Sequence, residues 1–497
     1  MDLKKLKSGT DIRGAALPYE NTEVDLTPEA VSKLVKAFAV LLKERNPATK
    51  RVAVGRDSRL SGPALAGAAA AALADSGLEV LDCGLCSTPS MFMMTVYDEV
   101  RCDASVMVTA SHHPYYRNGL KFFFPEGGAE SGDIDKIIEY AEADRHVAPA
   151  QAGKTVKGDY MRLYCDFLRN KIVCALHGGE KPLAGMHIVV DAGNGAGGFY
   201  AQRVLEPLGA DISGSQFLDP DGSFPNHIPN PEDAAAMQSV RECVLRNKAD
   251  LGVIFDTDVD RAAIVASDGE EINRNRLIAL ISSVVLDKYP GATIVTDSVT
   301  SDGLREFIER RGGVHHRFKR GYRNVINEAM RLCGEGTEAP LAIETSGHAA
   351  LKDNYFLDDG AYLVTELIIK AVRLKAEGKT LESLIADLRC PLEEKEIRLS
   401  FAPGADFKRV GAYIIESLKA VRLKNFEVAA DNYEGVRVSI PAYKGWFLVR
   451  MSVHDPIMPV NIESDSEGGV RAIAAVLYAY LKEFPLLDTE NLRKAAL

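Results

Sequence analysis

Apolar residues in the first half of the chain follow two alternating rhythms, one helical and one strand-like. In LTPEAVSKLVKAFAVLLKER (26–45), Val31, Leu34, Val35, Phe38, Leu41 and Leu42 fall on one helical face. Thr27 supplies an N-cap and Pro28 the first helical position. RVAVGRD then reads as a strand, the alanine-rich 61–76 stretch as a helix, and LEVLDCG as another strand. The rhythm returns at HIVVDAGNGAGG, at DLGVIFDTD, and at ATIVTDSV followed by SDGLREFIERRGG, with helices expected over 276–288 and 359–374. Such alternation predicts α/β domains with mostly parallel sheets. The last hundred residues change character. EIRLSF, FEVAAD, EGVRVSI and GWFLVRMSV run as nearly consecutive strands with helices near 406–421 and 467–483, the pattern of an α+β domain with an antiparallel sheet. Polar or glycine-rich breaks near 150–155, 267–273 and 387–393 place the expected domains at 1–152, 153–270, 271–390 and 391–497.

The length agrees: 497 residues at about 150 per domain is three or four domains. With 46% hydrophobic and 26% charged residues, the composition is that of a globular protein with ample core. A formal net charge of -11 argues against a general nucleic-acid or anionic-membrane binder, but a local basic cleft for a phosphorylated substrate is compatible with it. MDLKKLKSGTDIRG has no apolar signal region and no window reaches the length of a membrane span, so a cytoplasmic protein is expected. The eight cysteines are scattered. Only Cys83 and Cys86 form a CxxC, which lacks a second pair and reads as buried structural thiols.

Three stretches share one design, an apolar run of strand length followed by a short polar loop: VMVTASHHP, GVIFDTDVDR and LAIETSGH. In open α/β sheets ligands bind beyond the carboxyl ends of the strands, so three such loops can line one site. The first offers Ser111 with His112 and His113, and Lys121 follows in NGLKFF; a serine needs a base or metal to become a nucleophile, and a lysine steadies a phosphoryl charge. The second sets Asp256, Asp258 and Asp260 at alternate positions, a donor set suited to Mg²⁺, with Arg261 as a bidentate phosphate donor. The third carries Glu344, Ser346 and His348; a carboxylate accepts two vicinal sugar hydroxyls and a serine can bond a third. Near the C-terminus, Arg450 and Ser452 in VRMSVHDP offer donors for a non-transferring phosphate. Each loop alone has a plainer reading: a capping or turn serine, a solvated acidic turn, a polar turn, a strand-end ion pair.

Together these loops resemble the α-D-phosphohexomutase family of phosphoglucomutases and phosphomannomutases. The resemblance runs from SGTDIRG through VGRDSRLSG, TASHHP with NGLKF, DAGNGAGG, DGSFPNHIPNPED, DTDVDR, ETSGH and DDGAY to RMSVHDP. It implies three similar α/β domains with mixed, mostly parallel sheets plus a C-terminal α+β domain around a central cleft. It further implies that Ser111 is a phosphoserine, and that Asp256, Asp258 and Asp260 hold Mg²⁺ with a phosphoserine oxygen. Arg13, His112, Lys121 and Arg261 would surround the transferring group, with Lys121 or His348 as acid/base. Glu344 and Ser346 would read sugar hydroxyls, and Arg450, Ser452 and His454 would hold the other phosphate. The implied reaction converts a hexose 1-phosphate to its 6-phosphate through a hexose 1,6-bisphosphate, which also serves as activator. The phosphate loop departs from the family's RxSGTEP or RxSNTEP pattern, with Val453, His454 and Asp455 replacing the small, threonine and acidic positions. Two other readings compete. A haloacid-dehalogenase-type phosphatase would use Asp256 as nucleophile and Asp258 as acid. A non-catalytic sugar-phosphate-binding protein would keep the scaffold without turnover.

Overall fold

The computed structural model describes residues 2–177, 179–421, 426–430, 432–452 and 455–497. They form two compact units, Met1–Leu277 with Ser346–Leu384, and Ile278–Thr345 with Ile385–Leu497.

In the first unit, the strands Arg51–Arg56, Glu79–Leu85, Ala104–Val108 and Thr155–Lys157 run parallel. Arg117–Phe124 adds antiparallel to Ala104–Val108, and Asp11–Ala15 adds antiparallel to Arg117–Phe124. The helix Pro28–Arg45 forms where expected: the Thr27 hydroxyl accepts from the Ala30 amide at 3.2 Å. Its apolar face is buried, and the Phe38 ring lies 4.6 Å from Phe122. Burying one such ring is worth about 1.5–3 kcal/mol.

A second sheet in this unit pairs Ile188–Asp191 and Leu251–Phe255 in parallel, then Ala262–Ala266 and Glu271–Ile272 antiparallel. DTDVDR is therefore a tight connection between antiparallel neighbours rather than a strand-to-helix loop. The helix Ala234–Asn247 covers this sheet with Met237, Val240 and Val244. The returning segment contributes the hairpin of Ala349–Leu351 and Leu357–Asp358 and the helix Gly360–Ala376, capped by Asp359 on the Tyr362 amide at 2.9 Å.

In the second unit, Thr293–Thr296 runs parallel between Val314–Arg317 and Leu341–Ile343. Five antiparallel strands make up its other sheet, in the order Glu393–Ser400, Ile457–Ser464, Gly445–Val449, Val436–Ile440 and Glu427–Val428. The helices Phe407–Ala420 and Gly469–Leu481 bury Ile414, Leu418, Ile473 and Leu477 with this sheet. The sequence pattern does not predict Ile457–Ser464, because Pro459 interrupts its run, yet the strand pairs on both sides.

Cys83 and Cys86 are buried as expected, and burial pushes the Cys86 thiol up to about 12. Cys174 and Cys390 are exposed. Among the described residues no helix is long and apolar enough to cross a membrane.

Candidate active site

Ser111 follows the strand Ala104–Val108 and is buried, with φ at +51°, a left-handed backbone that non-glycine residues rarely adopt. Its Oγ donates to Asp256 Oδ2 at 3.0 Å, lies 3.3 Å from His112 Nδ1, and accepts from Arg261 Nη2 at 3.3 Å. Burial, then the charge of Arg261, holds His112 down at about 2; burial and Arg13 hold His113 down at about 3. Both imidazoles are thus neutral at physiological pH, each offering one donor and one acceptor.

Asp256, Asp258 and Asp260 are buried and each offers an oxygen within 4.8 Å of the others. The turn that brings them together sets Val259 at φ +69°. It also needs Gly360 beside it, where a Cβ would stand 2.7 Å from the Arg261 carbonyl carbon. Lys121, from the strand Arg117–Phe124, places Nζ 2.5 Å from Asp260 Oδ2 and 3.2 Å from Asp258 Oδ2. Arg261 turns back on Asp256 Oδ2 through Nε at 3.1 Å and Nη2 at 3.0 Å, while Nη1 reaches Asn230 Oδ1 at 3.2 Å. Burial and the Asp260 charge push the Asp256 carboxyl well above the usual range. Burial would raise Asp260 too, but Lys121, His348 and Arg261 outweigh it and hold that carboxyl below the usual range. Asp258 Oδ1 and Asp260 Oδ1 are buried without a hydrogen-bond partner among the described residues. Buried carboxylate oxygens that accept no hydrogen bond are costly, so an all-oxygen donor set with two of them fits a hard divalent cation.

His348, in the returning segment, places Nδ1 2.6 Å from Asp358 Oδ2 and 4.0 Å from Asp260 Oδ1. Burial alone would lower its pKa, but Asp358 and Asp260 hold it up at about 9. Asp358 and Asn230 carry no signal of their own in the sequence; they lie inside DDGAY and DGSFPNHIPNPED, two of the motifs that make the resemblance. The first unit thus gathers Ser111, His112, Lys121, the three aspartates, Arg261 and His348. It also holds Arg13, paired with Asp11 Oδ2 at 2.9 Å, and the buried Ser346.

The other predicted residues belong to the second unit. Glu344 accepts from the Gly321 amide at 2.6 Å. Arg450 is buried with Nη1 3.7 Å from Glu434 Oε1, and Glu434 also accepts from Ser298 Oγ at 2.6 Å and the Arg320 amide at 3.0 Å. Ser452 Oγ accepts from the Asp455 amide at 3.2 Å. His454 lies outside the described residues.

Three family models match in order: phosphoglucomutase/phosphomannomutase alpha/beta/alpha domain I over residues 4–146, domain II over 162–269 and domain III over 273–390. A phosphoglucomutase of Neisseria gonorrhoeae is 30% identical over 93% of this chain and 95% of its own. A phosphomannomutase/phosphoglucomutase of Pseudomonas syringae pv. tomato is 31% identical over 96% and 95%. The crystal structure of a phosphoglucomutase/phosphomannomutase family protein from Burkholderia thailandensis superposes with a TM-score of 0.81 at 28% identity, covering 98% of each chain. An unbroken domain order, matched nearly end to end by relatives that share the fold, places this chain in the phosphoglucomutase/phosphomannomutase family, the α-D-phosphohexomutases.

Proposed function

We propose that this protein interconverts hexose 1-phosphate and hexose 6-phosphate, with glucose, mannose or both as the sugar, through a phosphoserine at Ser111 and a hexose 1,6-bisphosphate. Its family consists of phosphotransferase isomerases. The observation that carries the reading is Ser111 Oγ, buried 3.0 Å from Asp256 and within reach of Arg261.

Phosphoryl transfer depends on positioning and on neutralising charge over the transferring oxygens. Arg261 and Lys121 bring fixed positive charge to the place where that charge develops, and neutral His112 can bond Ser111 without repelling them. Asp256, Asp258 and Asp260, with a phosphoserine oxygen, would hold Mg²⁺, which when bound withdraws charge from the phosphoryl group. His348, oriented by Asp358, carries the proton exchanged with the sugar hydroxyl, and Lys121 serves charge rather than proton transfer, since both its carboxylate contacts need the ammonium. Glu344 and Ser346 read the sugar hydroxyls; Arg450, Ser452 and His454 hold the phosphate that is not reacting. A phosphatase using Asp256 as nucleophile is disfavoured: its Oδ2 already accepts from Ser111 and twice from Arg261.

A coupled assay with glucose 1-phosphate and with mannose 1-phosphate, started by a trace of hexose 1,6-bisphosphate, tests the proposal. The 6-phosphate should appear, and peptide mapping should find phosphate on Ser111. Full turnover by Ser111→Ala would overturn the phosphoserine, and net release of inorganic phosphate without isomerisation would point to the phosphatase.

A further inference from the structure

The loop VGRDSRLSG has no part in the chemistry above, yet it meets the Ser111 peptide on both sides. Arg59 is wholly buried, and its Nη1 donates to the carbonyls of Pro114 at 2.8 Å and Arg117 at 2.9 Å. Its Nη2 donates to the carbonyl of His113 at 2.6 Å and to that of Ser111. Four N–H bonds of one planar guanidinium thus grip four carbonyls of the segment 111–117, a pattern no ammonium can copy. Asp57 completes the grip: its Oδ2 lies 3.2 Å from Arg59 Nε and accepts from Thr109 Oγ1 at 2.7 Å. Thr109 Oγ1 in turn accepts from the Ser111 amide at 2.9 Å. The carbonyl and the N–H of Ser111 are therefore held by the same buried ion pair. The loop around Gly222 closes over it, since a Cβ there would come within 2.4 Å of the Ser58 carbonyl oxygen, and Phe224 lies 5.3 Å from the guanidinium.

A left-handed serine is strained, and such strain persists only where the surroundings over-determine it. We infer that Arg59, with Asp57 and Thr109, is a positioning device that holds Ser111 in its strained, phosphate-accepting geometry; the inference rests on the phosphoserine reading. In the step concerned, the bond from Ser111 Oγ to phosphorus forms as the sugar O–P bond breaks, and the hydroxyl proton ends on the departing sugar oxygen. Misplacement of a reacting atom by about 1 Å costs roughly 100-fold in rate.

Single-turnover transfer from hexose 1,6-bisphosphate to dephosphorylated enzyme, followed by intact mass, separates positioning from mere stability. Arg59→Lys should phosphorylate to full amplitude at a rate roughly 100-fold slower, and Thr109→Val, which loses one hydrogen bond, up to roughly tenfold slower. Should Arg59→Lys fail to fold, Thr109→Val carries the test. Wild-type rates in both folded variants, or reduced amplitude at the wild-type rate, would overturn the inference. A wild type that turns over hexose phosphates but takes no phosphate on Ser111 would overturn the phosphoserine reading, and this inference with it.

Discussion

Ser111 meets its carboxylate partner across 145 residues of sequence, and Lys121 meets Asp260 across 139. What a short window can state is residue type: a hydroxyl beside imidazoles, carboxylates at alternate positions, an arginine next to them. That much was legible. The role of Arg59 was not, because nothing local distinguishes an arginine that grips a buried loop from one that faces water. Arg450 shows the same limit from the other side: a strand-end arginine reads alike as ion pair or phosphate anchor. As an anchor it bonds the phosphate in ground and transition state alike, so Arg450→Ala should raise KM with a smaller effect on kcat. A charge-assisted hydrogen bond of about 1.5–3 kcal/mol corresponds to a rise of roughly 10- to 100-fold. Initial-rate kinetics with hexose 1-phosphate measures it; an unchanged KM would mean that the phosphate is held elsewhere.

At the scale of elements, Pro28–Arg45 was legible from periodicity and its cap, whereas Ile457–Ser464 was not, because its pairing with Glu393–Ser400 and Gly445–Val449 outweighs the local penalty of Pro459. The helix Asp302–Arg310 is capped locally, Ser301 Oγ accepting from the Leu304 amide at 2.9 Å, but its first residue is tied to partners remote in sequence. Asp302 accepts from Arg317 Nη2 at 2.9 Å and Arg437 Nη2 at 3.1 Å. Burial would raise its carboxyl, but Arg437, Arg317 and Arg305 outweigh burial and hold it below the usual range. A depressed folded pKa means that the unfolded chain binds more protons at acidic pH. The stabilisation is therefore fully present above the unfolded value of about 3.9 and lost as pH falls through the folded one. Urea unfolding of wild type and Asp302→Asn should show the variant less stable at pH 7, with the gap narrowing below about pH 4. A gap independent of pH would show that the carboxylate charge contributes nothing.

For the molecule as a whole, the decisive event is the return of Ser346–Leu384 to the first unit. It brings His348 and Asp358 to Asp260, and Gly360 to the Asp256–Arg261 turn. A cation in that buried aspartate cluster binds only the folded unit, so Mg²⁺ should stabilise it. At 100 times Kd the gain is about 2.7 kcal/mol, visible as a raised Tm. Asp258→Asn should lose both this rise and most of the activity, on the order of 100-fold, the scale on which one buried catalytic electrostatic group acts. EDTA should abolish wild-type turnover and added Mg²⁺ restore it; full activity after thorough chelation would count against a catalytic metal.

By itself the sequence determined the α/β rhythm, the change to an antiparallel C-terminal sheet, and the loops that bear hydroxyl, carboxylate and guanidinium groups. Periodicity, capping and side-chain chemistry are properties of a few consecutive residues, so they survive without a fold. Only the tertiary structure decided that Asp358 sits on His348, that Asn230 supports Arg261, and that Arg59 holds the backbone of Ser111. Those contacts join residues that a short window cannot relate, and their energies depend on burial that exists only once the sheets and the returning segment have packed.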